Sequence, residues 1–160
     1  MEELDEGKII KVAISRPKSL NAMNPTFFKE LEQIFTEIND KPNARVAILV
    51  GEGKIFTAGL DLKEFGSIFS FNPEEDAARF ARILYDQVHK MQKVFLSIVE
   101  CRVPVIVGIH GKCVGGGVDL TSMCDIRYCT ADTEITIKEI DIGMAADLGT
   151  LQYFPNIVGN

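Results

Sequence analysis

Three consecutive glycines, Gly115 to Gly117, interrupt the chain directly after the apolar stretch Val105-Ile-Val-Gly-Ile109 and just before Val118-Asp119-Leu120. Glycine loses more backbone freedom on ordering than any other residue, so an ordered triple needs a compensating reason. An apolar strand, a glycine turn and a helix start in that order leave free N–H groups pointing outward from the first turn. A developing negative oxygen could sit there. A second reading is steric, because a helix packed closely on a strand also calls for missing side chains. Both readings stand at the level of sequence.

Three carboxylates follow. Asp119 lies three residues after Gly116, on the same helical face, where a helix N-terminus favours its ionised form. Glu139 follows the alternating Ile135-Thr-Ile-Lys138, and Asp147 precedes Leu148-Gly-Thr150. Singly they read as a first-turn carboxylate, a solvated strand-end charge and an N-cap. Together, beside an anion-binding turn, they read as proton-transfer machinery for carbanion chemistry.

The rest of the chain is an ordinary globular frame for such a site. Its 160 residues suit one domain, which at this length buries roughly 70% of the surface its unfolded chain exposes. Net charge is −6, and the 17 Lys and Arg are scattered rather than gathered into a stripe, so nucleic acid is a poor candidate partner. The apolar runs are strand-sized, short of a membrane span. The start, Met1-Glu-Glu-Leu-Asp-Glu6, has neither the basic nor the apolar part of a secretory or transit signal. Cys101, Cys113, Cys124 and Cys129 form no C-x-x-C pair, and with only His89 and His110 no metal-ligand spacing appears. The thiols are expected to be small buried residues in a reducing compartment.

Periodicity gives an α/β class. Lys8–Ile14 and Val46–Val50 read as strands. Between them Asn24-Pro25 supplies a cap and a first-turn proline for a helix whose Phe27, Phe28, Leu31, Ile34, Phe35 and Ile38 share one face, ending before Pro42. A second helix is expected to start at Asn72-Pro73-Glu74-Glu75 and run toward Pro104, with Phe80, Ile83, Leu84, Val88, Met91, Val94, Phe95 and Ile98 on its packed face. Strands at Val105–Ile109, Ile126–Cys129 and Ile135–Ile137 then alternate with helices near Gly116–Met123 and Asp147–Phe154. Ile55–Asn72, with Gly59 and Gly66, reads as a site loop.

Gly51-Glu-Gly53-Lys54 fits neither the phosphate-loop spacing nor the dinucleotide pattern, and reads as a turn after a strand. In Phe56-Thr-Ala-Gly59-Leu60-Asp61-Leu-Lys63, Gly59 allows a sharp bend that would present the Leu60 N–H to a ligand. The plainer reading is a strand-to-helix connection capped by Asp61.

Phe56-Thr-Ala-Gly-Leu-Asp61 and His110-Gly-Lys-Cys-Val-Gly-Gly-Gly-Val-Asp-Leu-Thr-Ser-Met-Cys-Asp-Ile126, paired at this separation, resemble the two signature segments of the enoyl-CoA hydratase/isomerase (crotonase) superfamily. The resemblance begins before Arg16-Pro17-Lys-Ser-Leu-Asn21-Ala22-Met23 and covers effectively the whole chain. It implies a spiral of repeated ββα units forming one core domain over residues 1–160. It also implies that the thioester carbonyl of an acyl-CoA substrate sits between the N–H groups of Leu60 and Gly116. Ala22 and the run Ala58, Gly59, Leu60, Asp61 and Leu62 would bind the substrate and its CoA arm, with Lys18 and Lys63 nearby. No metal or redox cofactor is implied, since coenzyme A enters as part of the substrate.

In the hydratases of this family two glutamates hold the catalytic water. Their positions match Asp119 and Glu139, and the shorter acid at 119 departs from that pattern. The added Asp147 resembles instead the dienoyl-CoA isomerase branch, which carries Asp, Glu and Asp at these positions and moves a 3,5-diene into 2,4-conjugation. Enoyl-CoA hydration is the alternative within the enzymes, and a nonenzymatic acyl-CoA-binding or oligomer-forming fragment the alternative outside them. Family members continue beyond the point matching Asn160 with C-terminal helices that close the pocket and help build trimers or hexamers, so a shortened core lacking that region is expected. An intracellular site, mitochondrial or peroxisomal, follows from the family's place in fatty-acid β-oxidation.

Overall fold

The computed structural model describes residues 1–69 and 76–159. Five strands form the main sheet in the order β1 (Glu2–Leu4), β2 (Ile9–Ile14), β3 (Val46–Gly51), β4 (Val105–Ile109) and β6 (Ile126–Cys129). β1 pairs antiparallel with β2, and every other neighbour is parallel, as helical crossovers require. Along β2 and β4 alternate residues are buried, Ile10, Val12 and Ile14 on one and Val105, Val107 and Ile109 on the other. A second, small parallel sheet joins β5 (Lys112–Val114) to β7 (Glu134–Thr136), and an isolated bridge links Thr57 to Cys113 beside it.

This arrangement is the expected spiral. β4, β5 and α4 (Gly116–Ser122) make one ββα turn, and β6, β7 and a 3-10 turn over Glu139–Ile142 make the next. β3, the Thr57 bridge and α2 (Leu62–Phe69) form an abbreviated turn before them. Each of these turns passes through or beside the small sheet before its helical segment begins.

Sequence signals explain the long helices. α1 (Pro25–Asn39) starts where the Asn24 side chain accepts from the Phe27 N–H at 3.0 Å, with Pro25 in the first turn. Its buried stripe of Phe27, Phe28, Leu31, Phe35 and Ile38 packs on α3 (Ala77–Val99), where Phe95 lies 5.4 Å from Phe28 between ring centroids. α3 is capped by Asp76, whose carboxylate accepts from the Arg79 N–H at 2.8 Å. The expected start at Asn72–Glu75 lies outside the described residues.

Several expectations are corrected. The segment read as a loop over Ile55–Asn72 contains α2, started by Asp61, whose carbonyl accepts from the Glu64 and Phe65 N–H groups. The last helix, α5, runs over Thr150–Val158 with Gly149 at its cap position, so Asp147 lies upstream of it and does not cap it. Glu139 opens a 3-10 turn instead of ending a strand. Cys113 and Cys124 are buried, but Cys101 is half-buried and Cys129 exposed, because β6 is an edge strand. Burial pushes the thiols of Cys113 and Cys124 up to about 12, leaving them inert at neutral pH. No helix among the described residues is long and apolar enough to cross a membrane.

Candidate active site

A cavity of about 400 Å³ opens between the α4 start, the 58–62 segment, α3 and the chain from Lys138 to Leu148. Leu84, Val88 and Met91 of α3 give it an apolar wall, and Gly115, Gly116, Asp119, Glu139 and Asp147 line the opposite, polar part together with Gly59 and Leu60. Residues up to 90 positions apart in the chain, 58 to 148, thus meet around one space.

The glycine triple serves both of its readings at once. Gly117 is there for packing, since a Cβ would lie 2.4 Å from Thr57 Cγ2 and 3.1 Å from the Cys113 sulfur. Gly115 turns the chain at φ +52°, and the Glu139 carboxyl packs where its side chain would be, Oε1 falling 3.1 Å from an ideal Cβ. Gly116, the first residue of α4, has room for a methyl group, and its significance lies in its N–H. That N–H and the N–H of Leu60 donate to no carbonyl among the described residues. An ideal Cβ on Gly116 would lie 3.8 Å from Leu60 N, which puts the two donors side by side on the cavity wall. Two adjacent unpaired amides at the start of a helix make an anion cradle.

The 58–61 segment is held rigidly. Asn21, fully buried, donates from its amide to the carbonyls of Glu52, Ile55 and Phe56 at 2.7, 3.1 and 3.1 Å. Its own carbonyl accepts from the Thr57 hydroxyl at 2.7 Å, and that hydroxyl accepts from the Gly59 N–H at 3.1 Å. Gly59, at φ +85°, then presents Leu60 to the cavity. Ala22 and Asp61 stand outside the cavity wall. The Arg16 guanidinium joins them, donating to the Ala22 carbonyl and lying 3.2 Å from the Asp61 carboxylate. Ala58, Gly59, Leu60 and Leu62 line the cavity, with Leu62 half exposed.

Asp119 is almost wholly buried, at 1% exposure, and its Oδ1 accepts from the Thr150 N–H at 2.7 Å. The acid therefore caps α5 from 31 residues away. Its Oδ2, the Glu139 Oε2 and the Thr150 hydroxyl are buried without a hydrogen-bond partner among the described residues. Burial raises the pKa of Asp119, against the lowering effect of the Thr150 N–H, and the negative charge of Asp147 raises it further. Burial likewise raises Glu139, with Asp119 and Asp147 adding to it, and raises Asp147. Each acid holds its proton more readily than it would in water, which suits groups that must give as well as take one.

Two contributors are invisible to spacing arguments. Gln92 of α3 donates from Nε2 to the Asp147 carbonyl at 2.7 Å, across 55 residues. Lys138 lines the cavity beside Glu139. Neither belongs to a motif, and only three-dimensional proximity identifies them.

Raised carboxylate pKa values carry a stability consequence. Between its unfolded and its higher folded pKa, Asp119 binds more protons when folded, so stability falls as pH rises through that window and stays lower above it. Asp119→Asn keeps an oxygen for the Thr150 N–H and removes the charge. It is expected to raise stability by about 1 kcal/mol at neutral pH, a gain that vanishes as the solution is acidified below the ordinary carboxylate range. Urea denaturation of both proteins at a series of pH values measures this.

Comparison with known proteins gives concordant findings. The family model for enoyl-CoA hydratase/isomerase matches residues 5–160. The chain is 47% identical over 152 residues to the mitochondrial Δ(3,5)-Δ(2,4)-dienoyl-CoA isomerase of Mus musculus, covering 95% of this chain and 46% of that protein. It is 42% identical over 155 residues to the peroxisomal isomerase of the same name from Arabidopsis thaliana, covering 96% and 56%. It therefore spans about half the length of the curated relatives it matches. Among solved structures, an enoyl-CoA hydratase from Thermobifida fusca in complex with acetoacetyl-CoA superimposes with a TM-score of 0.81 at 26% identity, covering 98% of this chain and 60% of that one.

Proposed function

Because this chain belongs to the enoyl-CoA hydratase/isomerase family, we propose that it carries the core of a dienoyl-CoA isomerase active site, acting on an acyl-CoA thioester. Residues 1–160 form its core domain. The observation that carries the reading is the meeting of three carboxyls of raised pKa, Asp119, Glu139 and Asp147, with the paired N–H groups of Leu60 and Gly116 around one cavity. Similarity to the mouse and Arabidopsis isomerases supports the choice of reaction, and the acetoacetyl-CoA complex of the Thermobifida relative supports the choice of ligand.

In this reaction a carboxylate takes a proton from C2 of a 3,5-dienoyl thioester. The electron pair spreads over the conjugated chain to the thioester oxygen, where the Leu60 and Gly116 N–H groups hold the charge. A second carboxyl gives a proton to C6, leaving double bonds at C2 and C4 and no net change in atoms. One acid must be ionised while its partner is protonated, and the negative charges of Asp119 and Asp147, which raise the pKa of Glu139, favour that mixed state. Glu139 and Asp147 exchange the protons. Asp119, with Oδ1 committed to the Thr150 N–H, supports them. Leu84, Val88 and Met91 exclude water from the acyl segment. The coenzyme is part of the substrate and travels with it. The organelle is a mitochondrion or peroxisome, as for the named relatives, and assembly into trimers or hexamers accords with the family.

Turnover distinguishes this reading from hydration. With a 3,5-dienoyl-CoA, absorbance of the conjugated 2,4-diene is expected to rise. With a 2-enoyl-CoA, loss of the enoyl absorbance is expected to be slower by at least an order of magnitude. Faster hydration than isomerisation would assign the site to a hydratase, and binding of both thioesters without turnover would make it a binding fragment.

A further inference from the structure

We propose that Tyr85, His89 and Gln92 form a positioning relay on α3 that fixes Asp147 in the geometry proton transfer needs, an inference that rests on Asp147 being a proton carrier. The three residues recur at helical steps of four and three, so their side chains line up along one face of α3. The Tyr85 hydroxyl meets His89 Nε2 at 2.7 Å, His89 Nδ1 meets Gln92 Oε1 at 2.7 Å, and Gln92 Nε2 donates to the Asp147 carbonyl at 2.7 Å. The Tyr85 and His89 rings also stack edge to face, 4.3 Å between centroids.

The polarity of this chain is set from its inner end. The Asp147 carbonyl can only accept, so the Gln92 amide must turn its NH₂ inward and its oxygen outward. His89 Nδ1 must then carry a proton to donate to that oxygen. In the neutral ring Nε2 is left as an acceptor for the Tyr85 hydroxyl. With this tautomer every atom in the row has one role, and the row, exposed at its Tyr85 and His89 end, favours the Gln92 orientation that grips Asp147. A side chain so constrained loses little further entropy in gripping the Asp147 carbonyl.

The grip matters because of where Asp147 sits. Between the 3-10 turn ending at Ile142 and α5 beginning at Thr150, it lies in a stretch without regular structure. Asp119 anchors the far end of this stretch through Thr150, and Gln92 anchors it at Asp147 itself. Misplacement of a reacting group by about 1 Å is enough to cost on the order of 100-fold in rate, so a carboxylate on an untethered loop would be a poor acid or base. Gln92 is a positioning residue, acting through Asp147 without touching the substrate.

A double-mutant cycle with an exchange measurement tests this. Gln92→Leu keeps bulk and removes the amide. It is expected to speed backbone hydrogen exchange over residues 144–150 by about tenfold while β3 and β4 stay protected, and to lower kcat about tenfold with KM unchanged. In an Asp147→Asn background the same change should lower kcat no further, because the group being positioned is already gone. His89→Phe, which keeps the stack but cannot donate, should reproduce a smaller part of both effects. Unchanged exchange in Gln92→Leu, an unchanged kcat, or losses that multiply with Asp147→Asn would each overturn the relay. Near wild-type turnover in Asp147→Asn alone would instead remove the proton-carrier role of Asp147, and the exchange result would still decide whether Gln92 holds the loop.

Discussion

Glu139→Gln and Asp147→Asn are each expected to lower isomerisation by about 10²–10⁴-fold at saturating substrate, with acyl-CoA affinity nearly unchanged. Both replacements are nearly isosteric, and both remove the ability to exchange a proton together with the negative charge of the ionised form. Glu139 packs its carboxyl over Gly115, beside the anion cradle, and Asp147 faces the same cavity from the chain before α5. Burial raises the pKa of both acids, the direction that favours proton donation. Steady-state turnover and equilibrium binding of a nonreactive acyl-CoA, measured on each variant, separate chemistry from binding. Near wild-type turnover in either variant would exclude that residue as a proton carrier.

Gly116→Pro is expected to cost about 10²–10³-fold in kcat through the loss of one oxyanion donor. The position suits the test, because Gly116 is the first residue of α4, where proline is well accommodated in a helix and takes away an N–H that no carbonyl uses. Circular dichroism and thermal melting establish that the variant is folded. Equal losses in affinity and turnover would mean that the amide holds the ground-state carbonyl as strongly as the enolate. Gly117 offers no such test, since any side chain there would collide with Thr57.

The parts legible in sequence were those with local causes. Asn24-Pro25 and the five-residue apolar stripe of α1 predict a helix because cap, first turn and packed face all lie within 15 residues. The long apolar face of α3 is equally plain. β5 is three residues between Gly111 and Gly115, too short for alternation to register, and it exists because β7 and Thr57 pair with it. α2 was hidden because Gly59 and Gly66 read as breaks, although the Asp61 start signal was present. At the site, the glycine turn and its three acids could be proposed from pattern and resemblance. The cap that Asp119 places on α5 and the hold of Gln92 on Asp147 could not, since each joins residues more than thirty positions apart that no spacing rule relates.

The small parallel sheet fixes when such a site can come into being. Parallel strands cannot close through a tight hairpin. Cys113 meets Thr57 only after the whole of α3 has been spanned, and Ile135 only after α4 and β6 have been. Closures over such distances lag behind local helix formation. On a chain emerging from the ribosome, the two amide donors can be brought together once residue 116 is free. The acids arrive afterwards at 119, 139 and 147, and Asp119 has no helix to hold until Thr150 follows. The first four strands of the main sheet can therefore be in register while the cavity still lacks its acidic rim, so the nascent protein acquires its shape well before it acquires its chemistry.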